Sequence, residues 1–131
     1  MGANSLTARD NMGKDTVRAA AVLTTGYVAS SAFPMGGANQ LQLLCDFTVG
    51  SSSGCQIKVE FSHNNSDWFQ ESIYELSGTD LVHTAVVRRI NGTAALVISI
   101  PVWAEYYRAS SLAVADGTST SLAISGLRGN L

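Results

Sequence analysis

Residues 41–62 read LQLLCDFTVGSSSGCQIKVEFS, and the alternation in this stretch decides the fold class. Placing Val49 opposite Cys55 across the loop Gly50–Gly54 lines up two apolar stripes. One face then carries Leu41, Leu43, Cys45, Phe47 and Val49, with Cys55, Ile57, Val59 and Phe61 on the returning arm. The other face carries Gln42, Leu44, Asp46 and Thr48, with Gln56, Lys58, Glu60 and Ser62. Period-two alternation on both sides of a Gly/Ser loop predicts two strands, read here as a long hairpin. Only one face of such a pair can be buried, so it belongs to an antiparallel sheet packed on one core.

Outward from this stretch the chain keeps to the same grammar. Pro34 and Gly36-Gly37 punctuate a loop over residues 29–39. Val17 to Val28 reads as a first strand or a short helix, and its Thr24, Thr25, Tyr27 and Val28 favour strand. Trp68 to Glu75 is ambiguous between faces, which suits an edge strand. Leu81 to Ile90 puts Val82, Val86 and Ile90 on one face, and the turn dipeptide Asn91-Gly92 predicts a hairpin into the next strand. There Leu96, Ile98, Ile100 and Val102 point inward. Pro101 falls on the opposite parity and sets that strand at an edge or bulge. Strand patterns continue over residues 103–115 and 119–127, the last with Leu122 and Ile124 inward. The expectation is an all-β chain: a single antiparallel β-sandwich, jelly-roll-like, of seven to eight strands. Residues 17–131 form that domain. Residues 1–16 are polar and aperiodic and read as a flexible N-terminal arm.

The chain has 131 residues, enough for one domain. Charged residues are 14% of it, against about 25% in a typical domain. That leaves a surface of Ser, Thr, Asn, Gly and Ala, suited to cover by partners or to an ordinary Ser/Thr-rich sandwich. Net charge is −2, and the eight Lys and Arg residues are scattered. Nucleic-acid binding needs clustered cations, so that role is excluded. No apolar run reaches the length of a membrane helix. The opening MGANSLTARDNMGKDT has no apolar leader region, so the chain is expected to be made in the cytoplasm. In the hairpin register the thiols of Cys45 and Cys55 stand roughly 13 Å apart, at ~3.4 Å per residue, too far for a disulfide. Both are expected free.

Catalytic equipment is sparse. His63 lies in a turn and His83 on the outward parity of a strand, and neither sits near a nucleophile motif. The sequence holds no CxxC, HExxH or EF-hand pattern, so no metal or cofactor is expected. The chain reads as a non-enzyme. The aromatic residues are the remaining candidates. Trp68, Trp103, Tyr106 and Tyr107 are singled out as partner-binding residues, because Trp and Tyr anchor interfaces. Their alternative is packing in the core and rim.

Two segments carry a family resemblance. Lys58 to Phe69, KVEFSHNNSDWF, resembles the strand-turn-strand pattern of phage virion modules. Tyr106 to Gly126, YYRASSLAVADGTSTSLAISG, resembles their C-terminal hairpin. The family is that of small β-sandwich virion accessory proteins of tailed bacteriophages, of the decoration or cement type. The resemblance implies a non-enzymatic virion structural protein. It would be a capsid decoration or cement protein, or another head-tail accessory subunit, bound to the major capsid or another virion protein. A homo-oligomer, with a trimer favoured, is expected. The alternative is a carbohydrate- or receptor-binding sandwich.

Overall fold

A computed structural model of the chain describes residues 13–130. The fold is all-β, as the alternation predicts, with twelve strands among the described residues instead of seven or eight. None of the described residues is helical, and no helix is long and apolar enough to cross a membrane.

The strands are β1 (Gly13–Ala21), β2 (Val28–Ala29), β3 (Phe33–Pro34), β4 (Gln40–Thr48), β5 (Cys55–Ser62) and β6 (Phe69–Gln70). They continue as β7 (Ser72–Ser77), β8 (Asp80–Ala85), β9 (Arg88–Ile90), β10 (Ala94–Pro101), β11 (Tyr106–Ala113) and β12 (Ser121–Gly129). One sheet runs β1-β12-β4-β10. The second has β11 and β5 at its centre, with β2 and β3 pairing β11 and β6 and β9 pairing β5. Among the described strands, β7 and β8 pair only with each other.

The stripes in 41–62 are buried as read. Leu41, Leu43, Cys45, Phe47, Cys55, Ile57 and Val59 all lie in the core, and Phe61 packs against it. Their pairing differs. Strands β4 and β5 lie in opposite sheets, β4 between β12 and β10 and β5 beside β11. The connection crosses the sandwich and is not a hairpin. Both geometries turn two apolar stripes toward one core, so parity cannot separate them. Gly50 makes the crossing possible: its φ is +51°, and a Cβ there would strike the carbonyl of Ser119.

Two other expected hairpins are corrected in the same way. Asn91-Gly92 joins β9 of the second sheet to β10 of the first. The segment Tyr106 to Gly126 likewise passes from β11 to β12 across the sandwich. The inward face of β11 is Tyr107, Ala109 and Ala113. Pro101 does end an edge strand, since β10 closes the first sheet. Of the arm expected over residues 1–16, residues 1–12 lie outside the described residues. Gly13 to Thr16 pair with β12 as part of β1.

Candidate functional site

The loop 35–39 and the loop 102–105 meet at one end of the sandwich. The backbone N–H of Met35 donates to the Glu105 carbonyl at 2.7 Å, and that of Val102 donates to the Asn39 carbonyl at 2.9 Å. Met35 and Val102 are buried and anchor the two loops from below. Gly36 and Gly37 turn the first loop at φ +61° and +81°, in the left-handed region. Between the loops lies an open cleft of about 610 Å³, lined by Pro34, Gly37, Trp103, Glu105 and Tyr106 among others. Trp103 is 93% exposed and stands at this cleft. A Trp ring so exposed is not explained by core packing. Two of the four aromatic residues named from the sequence therefore share a cleft.

The other two are tied up within the fold. Trp68 is half-buried, with the guanidinium of Arg108 stacked 4.3 Å from its ring centroid. Arg108 is held by Glu60 at 3.1 Å. Tyr107 is fully buried and offers no surface to a partner. Its hydroxyl donates to Asp15 Oδ2 at 2.6 Å, and Arg128 Nε donates to the same oxygen at 2.9 Å. Burial, the hydrogen bond to Asp15 and the charge of that carboxylate together push the phenol far above its ordinary range. Tyr107 is a core residue linking β11 to β1 and β12.

The sequence reading missed an exposed apolar surface. Strands β7 and β8 form a two-stranded ribbon standing clear of both sheets, with every residue exposed. Ile73, Tyr74, Leu76, Leu81 and Val82 project from it, Leu76 at 75% exposure. The register puts Tyr74 opposite His83 and Leu76 opposite Leu81, giving one face with two aliphatic residues and a Tyr–His contact at 5.7 Å. The expectation that Val82 faces a core fails, because β8 leaves the sandwich. Its signal was present in the ambiguous faces of residues 68–75. The ribbon's base is firm: Val86 N–H donates to the Glu71 carbonyl at 2.8 Å, and Arg88 grips the Glu71 carboxylate with two nitrogens at 3.0 and 2.8 Å.

His63 and His83 are both exposed. Cys45 and Cys55 are buried free thiols, as expected. The hairpin spacing offered as the reason does not hold, since the two strands lie in opposite sheets. Burial pushes their thiols up to about 12 and about 11. The Asn64 turn in the resembling segment is a local device: its side-chain oxygen accepts from the N–H groups of Ser66 and Asp67 at 2.9 and 2.8 Å.

The sequence matches no protein-family model and no curated protein. Solved structures share the fold. One is the SPBc2 prophage-derived protein YomS, with a TM-score of 0.54 at 16% identity over 89% of this chain and 91% of that one. Another comes from Bacillus endospore appendages, described as a family of disulfide-linked pili. Its TM-score is 0.51 at 12% identity over 92% of this chain and 88% of that one. At these identities the likeness concerns architecture alone.

Proposed function

We propose that this chain is a non-enzymatic structural subunit of a phage particle. It acts as a capsid decoration or cement protein, or as another head-tail accessory subunit, through protein–protein binding in many copies. The observation that carries this reading is the exposed ribbon. A two-stranded ribbon is marginal by itself in water, and one that holds Tyr74, Leu76 and Leu81 in solvent has a surface suited to burial against a partner. The prophage origin of one structural neighbour and the pilus assembly of the other are in keeping with a structural role. The partner is the major capsid protein or another virion protein, and the site of action is the virion. Co-sedimentation with particles tests this. Leu76→Asp together with Leu81→Asp should weaken particle binding by about tenfold or more, while the sandwich unfolds as before. Unchanged binding would remove the ribbon from the mechanism.

The cleft supports a second reading, a carbohydrate- or receptor-binding module. Trp103 offers an open ring for stacking, with Asn39, Glu105 and Tyr106 alongside. Retention on a glycan array, lost in Trp103→Ala, would favour this reading over the first.

A further inference from the structure

The edges of the sheets are guarded unequally. Strand β1 is broken by two register shifts, and the Arg18 guanidinium bonds the carbonyls of Ala21 and Val22 at its end. Strands β2, β3, β6 and β9 are two or three residues long. The ribbon strands carry Glu75 and Asp80. Bulges, shortness and charge are the usual protections of an edge. Strand β10 has none of these three, and its one protection is Pro101 at its last residue. It is eight residues long, AALVISIP, and no charged residue occurs from Asn91 to Ala104. Among the described residues it is the one edge strand of six or more residues without a charge.

The hydrogen-bond phase of β10 is fixed. Val102 donates to Asn39, and the register runs on through Ile100–Leu41, Ile98–Leu43 and Leu96–Cys45. Even-numbered residues therefore bond to β4. Ala95, Val97 and Ser99 turn their N–H and C=O groups to the open side. The same parity puts the nitrogen of Pro101, which has no hydrogen to donate, on that open side. On the inner face, Ile100 is buried, whereas Leu96 and Ile98 are only partly covered.

We propose that the open edge of β10 binds β10 of a second copy of this chain, antiparallel, about a two-fold axis at Val97. Ala95 then faces Ser99 of the second copy, Val97 faces its own equivalent, and about six backbone hydrogen bonds form. Leu96 and Ile98 of the two copies become cross-strand aliphatic neighbours and cover each other. The occupant is a second copy because this pairing is self-complementary. The edge has no charge to repel its equivalent, and none with which to select a foreign strand. On the outer face Val97 pairs with Leu44, so the two copies join their Leu44–Val97 rows into one apolar band. A single ladder is smaller than the roughly 800 Å² per partner of a standard interface. The dimer therefore forms in about the micromolar range. This inference does not rest on the virion reading.

Sedimentation equilibrium of the full chain tests it. The chain should be a concentration-dependent dimer. Val97→Pro removes an N–H that no described strand of the same copy uses, so it should raise the dissociation constant by about tenfold or more while leaving thermal unfolding of the monomer nearly unchanged. Leu96→Pro removes a bond to β4 and should lower the unfolding temperature instead. Val97→Lys and Val97→Asp should each be monomeric, because like charges meet across the axis, and mixing the two should restore a dimer. A wild-type monomer at millimolar concentration overturns the proposal. So does a trimer, or a dimer indifferent to the Val97 substitutions. Loss of the dimer on removing residues 1–12, with no effect at Val97, would assign the edge to that segment and overturn it equally.

Discussion

Tyr107 shows how one side chain joins both ends of the chain. Its ring fills the core from β11, and its hydroxyl meets the Asp15–Arg128 pair from β1 and β12. The approach is possible because position 126 has no Cβ: one placed there would collide with the hydroxyl and crowd Val17. Gly126→Ala should therefore destabilise the fold by about 1–3 kcal/mol in denaturant unfolding. Tyr107→Phe loses one charge-assisted hydrogen bond and should cost about 1–2 kcal/mol. The two are coupled, since Phe removes the atom that Ala would strike. In the Tyr107→Phe background, Gly126→Ala should cost less than it does alone. The alkaline limb of stability belongs to the same scale. Cys45, Cys55 and Tyr107 all have raised values in the folded state, so that state holds protons that the unfolded chain gives up first. Their stabilisation is full below the ordinary thiol value of 9.0 and is lost as pH rises toward about 11 and 12. Denaturant midpoints should be flat through neutral pH and fall above pH ~9. Alkylation without reductant should modify neither thiol in the native protein and both after unfolding.

Among the elements, the β7–β8 ribbon is the most separable. Its base is closed at Glu71 and Val86, and these lie in hydrogen-bond contact before the strands begin. Replacing Ser72–Ala85 with a short Gly-containing turn should shift thermal unfolding by only a few degrees, within about 1 kcal/mol, because the excised residues contribute no core side chain. A collapse of stability on excision would show that the ribbon folds with the sandwich. Phe47→Ala, by contrast, empties the centre of the first sheet and should cost about 3–5 kcal/mol. The sequence made the strands legible because alternation records which side chains face the core. It did not record which strand lies beside which. The loops GSSSG, Asn91-Gly92 and Asp116-Gly117 reverse or cross with the same residue types, so three crossings read as hairpins. The ribbon showed only as ambiguous faces over residues 68–75, for a related reason: alternation is scored against a core, and β7 and β8 have none. Among the candidate site residues, Trp103 and Tyr106 emerge at the cleft. Tyr107 could not be told from its neighbour, because adjacent residues on a strand differ only in parity.

At the scale of the molecule the boundary near residue 16 becomes concrete. Asp15 belongs to the sandwich through Tyr107 and Arg128, so the polar character of residues 13–16 marks an edge strand and an internal ion pair. A chain beginning at Val17 should be less stable than one beginning at Gly13 by about 1–3 kcal/mol in urea unfolding. Equal stability would mean that the Asp15 contacts contribute nothing net.

Strand β12, the last of the described strands, sits inside the first sheet between β1 and β4. Until it emerges from the ribosome, β1 lacks its one partner among the described strands and β4 lacks one of its two. The nascent chain therefore carries the apolar side of β4 incompletely shielded until residues 121–129 have emerged. Sandwiches dominated by such distant pairings fold slowly and are open to aggregation while they wait. A sandwich of this order depends on β12 in a way the length of that strand does not suggest. Truncation within β12 forfeits both the strand and the joint between the two ends.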